Sequence, residues 1–224
     1  MAIAHVQSIV ATNTLAQTFN TVYASGPTNG NLLVACLFHD EAGQDLADIS
    51  SSGWTRQATF DATTLTTDGR QSVWAKIAGG SESQTVAWDI GEVNRRAHGY
   101  ALEFSGFVEA IADLDGATFS GGENNVGGSS IQVAASVSGR VDSLLIGLGG
   151  GWGSGLSAFS WNSSLTTQIS SSANFRGSAV GWKEGAATDQ PTLSWTGTRE
   201  RSAIYVEIAT TLATELKGSP ILVI

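Results

Sequence analysis

The chain has 224 residues and a net charge of −9; 42% of it is hydrophobic and 14% charged. So small a charged share, against the ~25% usual in globular chains, excludes a disordered polyelectrolyte and leaves enough apolar material for a sizeable core. There is no basic run to track phosphates, which argues against nucleic acid, and no apolar stretch nears the ~20 residues that span a bilayer.

Cys36 is the only cysteine, so no disulfide can form within the chain. It lies in an apolar run and reads as a small buried hydrophobe. The start, Met1-Ala2-Ile3-Ala4-His5, has neither a positive segment nor a long apolar one. No secretory signal is read there, and synthesis in a cytoplasm is expected.

Apolar runs alternate with Gly/Asn/Asp/Ser clusters, the pattern of strands and turns. In chain order the predicted strands are 32–38, 72–78, 85–90, 97–104, 130–135, 143–148, 177–183, 192–195 and 203–210. Within the second, Ser72, Trp74 and Lys76 fall on one face by the period of two. No helical stripe is sustained; residues 213–217 could form one helical turn at most. The Gly-rich stretch 116–129 reads as an exposed crossover, and 149–155 as a loop ending a strand.

The most informative feature is a repeat. Trp54 answers to Trp161, Lys76 to Lys183 and Trp88 to Trp195, each pair 107 residues apart. Gly30-Asn31-Leu32-Leu33-Val34-Ala35 resembles Val141-Asp142-Ser143-Leu144-Leu145-Ile146-Gly147, and Glu103 matches Glu207. One half would leave an apolar sheet face bare, and two halves packed together would cover both. The expected fold is therefore all-β: a jelly-roll-like β-sandwich over residues 1–212, built from halves at about 30–106 and 141–211. Residues 213–224 form a tail whose apolar Ile221, Leu222, Val223 and Ile224 are expected to pair with a sheet edge or a neighbouring copy. The repeated Trp residues read as architecture.

Candidates for chemistry are sparse. The run Gly149-Gly150-Gly151-Trp152-Gly153-Ser154-Gly155 completes neither a nucleophile elbow nor a dinucleotide fingerprint. Trp152 and Ser154 remain as a glycan-binding candidate, because Trp152 has no repeat partner and its ring could stack on a sugar. Asp40, Glu41 and Asp45 supply hard oxygen ligands of the kind that suit Ca²⁺. Asp113-Leu114-Asp115-Gly116 opens like a calcium loop but continues with Ala117 and Asn124 where ligands are needed. Glu103 and Glu207, with Asp113, are the carboxylates that could meet in space for glycoside cleavage. The alternation around both glutamates predicts outward-facing strand charges.

Read in order, Gly30-Asn31-Leu32-Leu33-Val34-Ala35, Ser52-Gly53-Trp54-Thr55, Val73-Trp74-Ala75-Lys76-Ile77-Ala78-Gly79-Gly80-Ser81-Glu82 and Ala101-Leu102-Glu103-Phe104-Ser105-Gly106 resemble a β-rich domain of tailed-bacteriophage virion proteins. The resemblance runs from about residue 30 to 211. It implies a non-enzymatic virion part: a minor tail, fibre or baseplate-associated protein, or a capsid decoration. Other copies of the chain and other virion proteins would be its partners, with host surface glycans as a further contact and no membrane insertion. No catalytic residue is carried over. A carbohydrate-binding module is the alternative reading, and a glycan-cleaving enzyme the lesser one.

Overall fold

A computed structural model describes residues 3–39, 49–62, 69–91, 96–106, 118–132, 137–138, 143–152, 156–162, 165, 167–173, 176–184, 188–189 and 191–209. Among them the chain forms strands and no helix. The strands are β1 (Ala4–Thr14), β2 (Thr18–Val22), β3 (Leu32–His39), β4 (Thr55–Ala62), β5 (Gly69–Ile77), β6 (Thr85–Asp89), β7 (Arg96–Ser105) and β8 (Thr118–Gln132). They continue with β9 (Val137–Ser138), β10 (Ser143–Trp152), β11 (Ser157–Trp161), β12 (Thr167–Ala173), β13 (Arg176–Glu184), β14 (Thr188–Asp189) and β15 (Thr192–Ala209).

All pairing between strands is antiparallel. One sheet has the order β1-β7-β3-β5-β4, and the second runs β8-β15-β10-β13-β12, with β11 also on β15. The registers show that these orders are the same arrangement used twice. Leu33 stands between Lys76 on β5 and Glu103 on β7. Leu145 stands between Lys183 on β13 and Glu207 on β15 in the same way.

The two sheets form a sandwich. Leu32, Val34, Cys36 and Phe38 from β3, with Tyr100, Leu102 and Phe104, meet Leu144, Ile146, Leu148, Val180, Trp182, Ile204, Val206 and Ile208. Each such side chain, once buried, contributes roughly 1.5–3 kcal/mol. Trp182 stacks on His5 at 4.6 Å and meets Phe104 edge-on at 5.9 Å. Strand β1 packs near β12 and β4 near β8, while β5 packs on β15 and β7 on β13. Exchange of equivalent partners in this way is the signature of a local two-fold axis, as in an isologous dimer.

The outer faces are covered too. The β2–β6 pair and the Ile49–Trp88 bridge close one, burying Tyr23, Val86, Trp88 and Ile90 against Leu33, Ala35 and Leu37. On the other side Ile131, Leu156, Phe159, Trp161, Leu165, Leu193 and Trp195 lie against Leu145, Ala179, Ala203 and Tyr205. Strand β15 serves both layers. Residues 193–196 pair with β11 and 201–209 with β10, with Gly197 at φ 101° between them.

Three expectations are corrected. The segment predicted as an exposed crossover is strand from Thr118 onward, because β8 provides the edge of the second sheet that β1 provides for the first. Gly149, Gly150 and Gly151 belong to β10 and are buried, since bare backbone there lets neighbours approach closely. Glu103 and Glu207 are not surface charges: their relative exposures are 0% and 4%. The alternation placed them on the outer face correctly, but a further layer covers that face.

Candidate functional site

Glu103 is built into the outer face of the first sheet. Gln7 on β1, directly opposite in register, donates its side-chain amide to the carboxylate. The Thr28 backbone N–H donates at 2.8 Å and the Asn31 amide at 2.6 Å. Burial by itself would raise the Glu103 pKa, but these bonds outweigh it and hold it below the ordinary value. The carboxylate thus fastens the loop between β2 and β3 to the sheet. The Tyr23 hydroxyl, pushed well above its usual pKa by burial and then by Glu103, donates to the Leu102 carbonyl at 3.2 Å.

A second polar set lies between the sheets. His98 Nδ1 and the Tyr100 hydroxyl lie 2.6 and 2.7 Å from the Ser178 hydroxyl. Across the local axis the Gln71 amide donates to the Ser202 hydroxyl at 2.6 Å and to its carbonyl at 2.7 Å. Ser178 and Ser202 are wholly buried and His98 nearly so. The Ser–His contact is therefore enclosed in the joint between the sheets.

A third set is open to solvent. Ser51, Ser52, Gly53, Lys76, Ile77, Gly79, Ser81, Glu82, Ser83, Thr85 and Ala87 line a cleft of about 580 Å³. Such a volume lies within the ~300–1,000 Å³ typical of small-molecule sites. Inside it the Lys76 ammonium donates to Glu82 at 2.6 Å. Burial would raise the Glu82 pKa, yet the bonds from Lys76, Gly79 N–H and Ser83 N–H hold it low. Beside the cleft the Trp54 ring lies 4.8 Å from the Lys76 ammonium, and the Arg56 guanidinium sits 5.6 Å from the Trp74 ring.

Of the residues singled out in the sequence, Asp40, Glu41, Asp45, Asp113, Ser154, Ile221, Leu222, Val223 and Ile224 lie outside the described residues. Trp152 is described in its backbone, as the last residue of β10 opposite Arg176. Among the described residues no cluster of three or more His, Cys, Asp or Glu side chains is placed to hold a metal ion. Glu103 and Glu207 sit in different sheets, each paired beside a leucine of its own sheet. Sequence reasoning missed the cleft. Its one signal was Lys76, a charge inside the apolar run 73–78, followed by Glu82 at the next turn. No family model, no curated protein and no solved structure matches the chain.

Proposed function

We propose that the protein is a non-enzymatic structural part of a tailed-bacteriophage virion: a minor tail, fibre or baseplate-associated component, or a capsid decoration. In this reading it associates with further copies of itself and with other virion proteins, and displays its loops outward. The order and spacing of the motifs between residues 30 and 211 supply the virion assignment. The observation that best supports a structural role is the use made of Glu103. The carboxylate that the repeat marks out is spent on three hydrogen bonds that fasten a loop to a covered sheet. A group so enclosed is suited to holding shape and poorly suited to meeting a substrate.

The mass of the purified chain by light scattering tests the assembly. A defined trimer, pentamer or hexamer is the expected result, since virion parts work in closed symmetric groups. A monomer at all concentrations up to those of a crowded particle would remove self-association. Antibody labelling of intact particles tests the location, and unlabelled particles that lack the chain would overturn it.

A further inference from the structure

We propose that the cleft at Lys76 and Glu82 is a binding site for a neutral saccharide. In the second half Trp161 lies flat on β10 and β13. A Cβ built on Gly147 would come within 2.9 Å of its ring, and one on Gly181 within 2.8 Å. The Trp161 indole also donates to the Ala179 carbonyl at 3.2 Å, so this tryptophan is core.

The positions equivalent to Gly147 and Gly181 in the first half are Ala35 and Trp74, paired with each other just as the two glycines are. Trp74 fills the place where the equivalent ring would lie. Trp54 lies half-buried against the outer-face cluster of the first sheet, with the Lys76 ammonium over its ring. The cleft lies beside it.

The lining selects the ligand class. Lys76 and Glu82 neutralise each other, so neither a free anion nor a free cation is favoured. Of the lining side chains only Ile77 and Ala87 are hydrocarbon, too few to enclose a lipid chain. What remains is a hydroxyl-rich lining of Ser52, Ser81, Ser83 and Thr85, with the Ser51 hydroxyl buried and the Ser83 hydroxyl also bonded to the Thr85 backbone. Glu82 adds acceptor capacity: a carboxylate offers about four lone-pair sites, and Lys76, Gly79 and Ser83 use part of it. Hydroxyl donors and acceptors around a neutral ion pair are the complement of a sugar, whose hydroxyls both donate and accept. This proposal stands apart from the virion reading: a monomer in light scattering would remove assembly and leave the cleft untouched.

The test is calorimetric titration of the full chain with chitotriose, maltotriose and mannotriose, each to roughly 10 mM, with sialyllactose as the charged comparison. At least one neutral probe is expected to bind with a Kd of about 1 mM or tighter, and at least tenfold better than sialyllactose. Glu82→Gln and Trp54→Ala should each weaken it tenfold or more. In case Trp54→Ala disturbs folding, the unmodified protein is also followed by NMR. The Trp54 indole resonance should shift saturably, and those of the wholly buried Trp88 and Trp182 should stay. No heat and no indole shift with any neutral probe overturns the proposal. So does preference for sialyllactose, or binding undiminished by both substitutions.

Discussion

Phe38 and Gly150 occupy the same position in the two halves, and they meet each other at the centre of the sandwich. A Cβ on Gly150 would stand 2.7 Å from the Phe38 ring and 2.5 Å from the Gly177 carbonyl oxygen. Residues on a local two-fold axis face their own counterparts, so two phenylalanines there would collide. One large and one absent side chain fill the space that two equal ones could not. Gly150→Ala is therefore expected to cost about 1–3 kcal/mol by overpacking, measured by urea denaturation. Phe38→Leu should not rescue it, because the Gly177 carbonyl remains in the way. Unchanged stability in Gly150→Ala would contradict this packing.

The rows on either side of that contact predict an asymmetry. Gln71 and His98 flank Phe38, and Ser178 and Ser202 flank Gly150. The Ser178 hydroxyl serves both His98 and Tyr100, whereas Gln71 also bonds the Ser202 carbonyl, which no side-chain change removes. Ser178→Ala should cost about 1–3 kcal/mol and Ser202→Ala measurably less. Equal losses in chemical denaturation would show that the second bond to Gln71 contributes nothing.

Glu103 links stability to pH. Its folded pKa is lowered from an ordinary 4.5. The stabilisation is therefore complete above the unfolded value and is lost as pH falls through the folded one. Below about pH 4.3 the melting temperature should drop with a contribution from this group. Glu103→Gln should be less stable at neutral pH, by about 1.5–3 kcal/mol for lost bonds to a charged acceptor, and its curve below that pH should be flatter. A parallel curve in the variant would assign the acid sensitivity to other groups.

Cys36 is wholly buried between the sheets, and burial pushes its thiol pKa far up. Thiolate is the reactive form. A water-soluble disulfide reagent should leave the native protein unmodified over hours and label it fully in denaturant. Fast labelling under native conditions would mean that the sandwich opens locally.

The sequence by itself determined the class of fold and its doubling. Short β-prone runs broken by glycine and polar clusters are local properties, and the recurrence of Trp54, Lys76 and Trp88 at Trp161, Lys183 and Trp195 needs no coordinates. The polar strands β1, β4 and β12, and most of β8, were not legible, because edge strands bury less and carry weaker alternation. Trp74 and Trp182 stand opposite no tryptophan of the other half: they are answered by Gly181 and Ala75 in the paired registers. A period of two separates the faces of a strand without saying which face is wet. Only the tertiary structure decided that both faces of each sheet are covered, which turned Glu103 and Glu207 from surface charges into buried ones. It alone set Phe38 against Gly150 and placed Trp54 beside the Lys76–Glu82 cleft while Trp161 packs over Gly147 and Gly181, because such contacts depend on registers between strands distant in sequence.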